Sequence, residues 1–168
     1  MRNIIPECWF DKELLLQLRI TQKQINKVTD ITDVVKKLNE QIYSNKVALG
    51  LIDEDLNSSR PSSFSEFQVI KEAHQLMWKQ KPNTRHILIV IRPRLEDWLY
   101  AVAKTGNVNP STKPYLLPKT PKELHDDYTA KRQVSESKNV MSFLKDVIAA
   151  NPPQIQTLKT WLQEIQSL

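Results

Sequence analysis

Lys46-Val47-Ala48-Leu49-Gly50-Leu51-Ile52-Asp53-Glu54-Asp55 decides how this chain folds. Seven residues run almost without a polar interruption, too few for a buried helix. They follow a segment with helical spacing. A short continuous apolar run of this kind is the mark of a strand covered on both faces, the usual state of a parallel strand in an α/β layer. Upstream, Asp30-Ile31-Thr32-Asp33 has the form of a helix start, and Ile31, Val34, Val35, Leu38 and Ile42 then recur at helical spacing. Downstream, His86-Ile87-Leu88-Ile89-Val90-Ile91 is the strongest strand of the chain, β-branched and apolar. Pro93 stops it and opens a helix that carries Leu95, Trp98, Leu99 and Val102 on one side and ends near Gly106.

Outward from that centre, residues 2–6 read as a short first strand ending at Pro6. Residues 10–18 read as a helix with Leu14, Leu15 and Leu18 inward, and residues 21–29 as a loop. Residues 57–63 form a loop by composition, 64–72 are ambiguous with a short helix as one option, and 74–80 suit a strand. Pro82-Asn83-Thr84 is a turn. Pro110, Pro114 and Pro118 mark a long loop over 107–120. Helices follow over about 121–130, 136–149 and 154–167. The last carries Ile155, Leu158, Leu162 and Ile165 in a stripe suited to docking on a core. The expected class is therefore α/β: a compact, mostly parallel sheet flanked by helices, with a helical C-terminal third.

Composition excludes several functions. At 168 residues with 40% apolar and 26% charged residues, the chain has a globular composition and enough length for one core. Its longest apolar run, Ile87–Ile91, falls far short of the ~20 residues of a membrane helix. Met1 to Glu7 has no apolar leader stretch, which predicts a cytoplasmic protein. One cysteine, Cys8, precludes an internal disulfide or a cysteine zinc site, and His74, His86 and His125 show no metal-ligand spacing. Only two glycines, Gly50 and Gly106, argue against glycine-rich phosphate loops and hence against kinases and dehydrogenases. The net charge of +5 and pI near 9.3 permit a polyanionic partner. Trp9, Trp78, Trp98 and Trp161 read as core residues, with base stacking a minor option for Trp78.

Chemistry concentrates at the strand end. Ligands of open α/β sheets bind beyond the carboxyl ends of strands. Asp53 and Asp55 would project to one side of an extended segment, and adjacent carboxylates repel unless a cation lies between them. Mg²⁺ (or Mn²⁺) suits such oxygen donors. The alternative is a turn of solvated acids. Glu7, just past the first strand, reaches the same edge if that strand neighbours 46–52, where it is placed for general acid–base work. Glu96, in Arg92-Pro93-Arg94-Leu95-Glu96-Asp97-Trp98, is a further metal or orienting carboxylate, or an acid that complements the helix dipole. Arg92 and Arg94, with Lys79 and Lys81, are candidate nucleic-acid contacts.

A Glu ending strand one, an Asp four residues on that opens a helix, and an Asp-x-Asp after an apolar strand (Glu7, Asp11, Asp53 and Asp55) together resemble the Toprim domain of topoisomerases, primases and nucleases of the overcoming-lysogenization-defect group. The Pro93 to Trp98 segment is similar to a Pro-x-x-Glu-x-Trp-like segment of small Toprim-like proteins. Where the family usually carries Gly after the Glu, this chain has Cys8. The resemblance covers residues 1–105, a Toprim-like core, with 106–168 as a loop and helical extension within one domain, 1–168. It implies Mg²⁺-dependent phosphodiester chemistry, with Glu7 as general acid or base and aspartates holding metal. The expected function is a divalent-metal-dependent nuclease acting on DNA or RNA. The competing expectation is a non-catalytic Toprim-like partner of an ATPase or other protein. A receiver domain would carry its acids on the first strand, and a glycosyltransferase using Asp-x-Asp would need a longer chain.

Overall fold

The computed structural model describes residues 3–26, 28, 30–54, 61–128 and 137–168. Its strands are β1 (Ile4–Pro6), β2 (Ala48–Asp53), β3 (Gln68–Ala73), β4 (Leu76–Gln80) and β5 (His86–Ile91). Its α-helices are α1 (Trp9–Gln17), α2 (Ile31–Leu38), α3 (Leu95–Thr105), α4 (Pro121–Tyr128), α5 (Lys138–Ala150) and α6 (Pro153–Ser167). The five strands form one sheet in the order β1-β2-β5-β4-β3. β1, β2 and β5 run parallel, whereas β4 pairs antiparallel with β5 and β3 antiparallel with β4. The sheet is thus mixed rather than mostly parallel. No helix among the described residues is long and apolar enough to cross a membrane.

Alternation along the strands divides the core. Leu49, Leu51, Ile87, Ile89 and Ile91 face α1, α3, α5 and α6, through residues such as Phe10, Trp98, Phe143 and Leu162. Ala48, Ile52, Leu88 and Val90 face α2 through Ile31, Val34, Val35 and Leu38. The C-terminal helices therefore share a core with the sheet. Gly50 lies on the α2 side. A Cβ there would stand 2.6 Å from both Leu88 Cδ2 and Val34 Cγ1, so glycine is what lets the helix approach β2 this closely.

The ambiguous segment 64–72 divides: a 3₁₀ turn over Ser62–Glu66 leads into β3, an exposed edge strand held by its pairing with β4. The expected placement of Ile42 fails. The helix begun at Ile31 ends at Leu38, so Ile42 is 56% exposed, and Tyr43 fills the adjoining space in the core instead. Elsewhere the ends move by a residue or two. His86 is buried at the start of β5, its Nε2 3.0 Å from the Tyr43 carbonyl oxygen. Trp78, Trp98 and Trp161 are core residues, and Trp78 meets Trp161 edge-on at 6.0 Å, which leaves its face no room for a base. Trp9 is half-buried beneath the Lys12 ammonium.

Gly50→Ala must displace both Leu88 and Val34, and overpacking of this kind costs about 1–3 kcal/mol. Denaturant unfolding should register that loss, and an unchanged midpoint would contradict the packing of α2 on β2.

Candidate functional site

The parallel order of β1, β2 and β5 brings three chain segments to one edge. Glu7 leaves β1 with its amide bonded to the Leu51 carbonyl, and its Oε2 accepts the Asp53 N–H at 3.2 Å. Asp53 ends β2 opposite Ile91, the last residue of β5. It continues the row of Leu49 and Leu51, so its side chain lies on the face covered by α1 and α3. Glu7 and Asp53 do meet at a shared edge. Asp55 lies outside the described residues.

Both covering helices begin at this edge, and acids cap them. Cys8 is the N-cap of α1 at φ −125° and ψ 176°, an extended backbone that needs no glycine. Its Sγ accepts the Asp11 N–H at 3.3 Å, and Asp11 Oδ2 accepts the Cys8 N–H at 3.0 Å. A cysteine thus replaces the usual Ser or Thr of a capping box. At α3 the N-cap, Arg94, offers no side-chain bond. Asp53 supplies one from another strand, with Oδ2 accepting the Leu95 N–H at 3.1 Å. Glu96 follows in the first turn, 1% exposed.

These bonds leave oxygens over. Asp11 Oδ1, Asp53 Oδ1 and Glu96 Oε2 are buried and accept no hydrogen bond. A buried acceptor without a donor costs about 1–3 kcal/mol, more when charged. The carboxylates also oppose one another. Burial, then the charge of Glu7, raises the Asp11 pKa to about 8 against the pull of its Cys8 hydrogen bonds, and Glu96 adds to the rise. Asp53 is pushed well above the ordinary range by burial and by Asp11, Glu96 and Glu7, while its Leu95 hydrogen bond works the other way. Burial and Asp11 also raise the Cys8 thiol, which disfavours the reactive thiolate. The acids act as one electrostatic unit, yet among the described residues no three His, Cys, Asp or Glu side chains are already gathered as a metal-binding set.

No family model, curated protein or solved structure matches the chain. The site must be judged on its own chemistry.

The candidate nucleic-acid residues do not form one surface. Arg92 and Arg94 flank the acidic edge, but Arg92 Nη2 donates to Glu72 Oε2 at 2.6 Å and Arg94 Nε to Asp97 Oδ2 at 2.8 Å. Lys79 and Lys81 lie towards the other end of the sheet, because β4 runs against β5 and Gln80 pairs with Ile87. Lys79 Nζ sits 4.2 Å from the Phe64 ring centre, and Lys81 Nζ binds Glu66 at 2.7 Å and Asn39 at 2.9 Å.

Sequence reasoning missed His125. Its Nδ1 lies 3.3 Å from Glu96 Oε2, delivered by α4 packed against α3. Separated from Glu96 by the 107–120 loop, it carries no spacing signal that would tie the two together.

The raised Asp11 pKa sets a direction for stability. The folded state binds a proton that the unfolded state has already released above pH 4, so stability is fully present below that value and is lost as pH rises through about 8. Without added metal, melting temperature should fall between pH 5 and pH 9. Asp11→Asn should flatten that fall, since an amide oxygen can still accept the Cys8 N–H. A wild-type melting temperature that rises over this range would contradict the electrostatic description.

Proposed function

We propose that the acidic edge binds a divalent cation, Mg²⁺ or Mn²⁺, and that the protein is a Toprim-like phosphoryl-transfer enzyme, a nuclease acting on DNA or RNA. The observation that carries this is the pair of buried oxygens without donors, Asp11 Oδ1 and Asp53 Oδ1, at one sheet edge, with the buried Glu96 carboxylate (ion-paired to His125 at 3.3 Å) adding to the charge there. An all-carboxylate donor set fits a hard, oxygen-seeking ion, and such an ion relieves at once the missing hydrogen bonds and the mutual repulsion.

Asp53 and Glu96 would hold the ion, with Asp55 as the further ligand named by its motif and Asp11 beside them. Asp53 keeps α3 capped through Oδ2 while Oδ1 remains for coordination. The cation, when bound, supplies charge neutralisation at the phosphate and an acidified water. Glu7 is held at the edge by the Asp53 amide and acts as general base towards the attacking nucleophile or as acid towards the leaving oxygen. Arg92 and Arg94 would have to exchange their acidic partners for the substrate phosphate.

Those same ion pairs favour a second reading, a non-catalytic Toprim-like partner of an ATPase or other protein. There the arginines remain structural, and a proton on Asp11 rather than a metal relieves the repulsion.

Titration with Mg²⁺ or Mn²⁺ on plasmid and single-stranded substrates separates the two. Cleavage is expected. Asp53→Asn should abolish it with the melting temperature kept or raised, because Asn still caps α3. Glu7→Gln should slow cleavage by about 10²–10⁴-fold. Unchanged turnover in Asp53→Asn refutes the site, and a folded wild type inert with every metal favours the binding partner.

A further inference from the structure

α1 begins among the acids, and its nine residues carry the chain about 14 Å away from them. There the end of α1, the second half of α5 and the middle of α6 enclose a cleft of about 580 Å³. Arg19, Lys145 and Lys159 line it, with the amides of Gln17, Asn151 and Gln163. Among the described residues no carboxylate and no aromatic ring lines it. The acids beside Lys145 and Gln163 in sequence are engaged elsewhere: Asp146 Oδ2 accepts the Tyr115 hydroxyl at 2.7 Å, and Glu164 Oε2 accepts the Lys71 ammonium at 2.5 Å. Asn151 holds the Lys159 head in place, with Nζ donating to Oδ1 at 2.8 Å. A helix C-terminus carries about half an elementary negative charge, so the ends of α1 and α5 together offset about one of the three positive charges. The remainder has no counter-charge in the cleft.

Arg19 is also an unusual choice for its place. It follows the C-cap of α1 at φ 70°, its N–H bonded to the Leu16 carbonyl and that of Ile20 to the Leu15 carbonyl, each at 3.0 Å. This is the Schellman helix end, whose left-handed residue is usually glycine. An arginine there carries a backbone cost that glycine avoids.

From this unbalanced charge, we propose that the cleft binds a small phosphorylated molecule, a sugar or polyol bisphosphate, separately from the acidic edge and without need of a cation there. The phosphates supply the missing counter-charge. The Arg19 guanidinium suits a bidentate grip on one of them, and Lys145 and Lys159 act as point charges on the other. The three amides can both donate to and accept from sugar hydroxyls. With no aromatic ring in the lining, a nucleobase has nothing to stack on, which favours a polyol over a nucleotide or a single strand. The volume lies within the range of about 300–1,000 Å³ common to small-ligand sites.

Calorimetric titration of the full chain with fructose bisphosphate, in the presence of EDTA, tests this, with inorganic phosphate and an oligothymidylate strand as comparisons. Saturable binding of the bisphosphate is expected, at least about tenfold tighter than that of phosphate. Lys145→Gln and Lys159→Gln should each weaken it by about tenfold, the size of one lost charge-assisted hydrogen bond. Arg19→Gly should weaken it as much while the melting temperature holds or rises, because glycine suits the helix end. A purely structural Arg19 would not separate binding from stability in this way. No saturable binding, or bisphosphate binding indifferent to all three substitutions, overturns the proposal. Tighter binding of the strand, weakened by the same substitutions, assigns the cleft to a nucleic-acid backbone and overturns it equally. Because EDTA removes divalent metal, none of these outcomes depends on the acidic edge.

Discussion

Mutual repulsion among buried carboxylates at the end of β1, β2 and β5 is the constraint around which this molecule is arranged. Glu7 and Glu96 raise the cost of ionising both Asp11 and Asp53, and Asp11 raises that of Asp53. The fold supplies partial compensation. Two helices start at the edge, Asp11 closes the capping box of α1, and Asp53 caps α3 from a neighbouring strand. A helix N-terminus contributes about 0.3–1 kcal/mol to a nearby anion, whereas burying a carboxylate costs several kcal/mol. Helix ends alone cannot balance so many acids. A proton on Asp11 offsets part of the repulsion, as its raised pKa indicates, and under the cation-binding proposal a metal ion would take that place.

The strands that position the site were legible because their burial is extreme. Ala48–Asp53 and His86–Ile91 are apolar on both faces, and only a strand covered by helices on both sides can bury so short a run. β3 was not legible. Its residues are largely exposed, and it exists through pairing with β4 across a turn in which His74 and Gln75 take φ of 53° and 62°. Asn-Gly or Asp-Gly would have signalled such a turn; His-Gln does not. Ile42 misled for a related reason: helical spacing continued on paper after the helix had ended at Leu38.

At the site, the legible residues were those whose role follows from local position. Glu7 and Asp53 end adjacent strands, Glu96 opens a helix, and Asp11 stands three residues after its N-cap. What depends on packing between distant elements stayed hidden. Asp53 capping α3 spans 42 residues, and the approach of His125 to Glu96 requires α4 to dock on α3. The separation of the candidate basic residues was hidden as well, because it depends on strand direction. Antiparallel β4 carries Lys79 and Lys81 away from the edge that parallel β5 approaches.

Calorimetric titration of Mn²⁺ at pH 7, repeated in two buffers of different ionisation enthalpy, measures the central claim as a proton count. If a cation displaces a proton that the raised Asp11 pKa would keep bound at pH 7, binding should release about one proton per ion, and the buffer dependence of the heat gives that number. Binding with no proton released, or no binding heat in either buffer, would contradict the account.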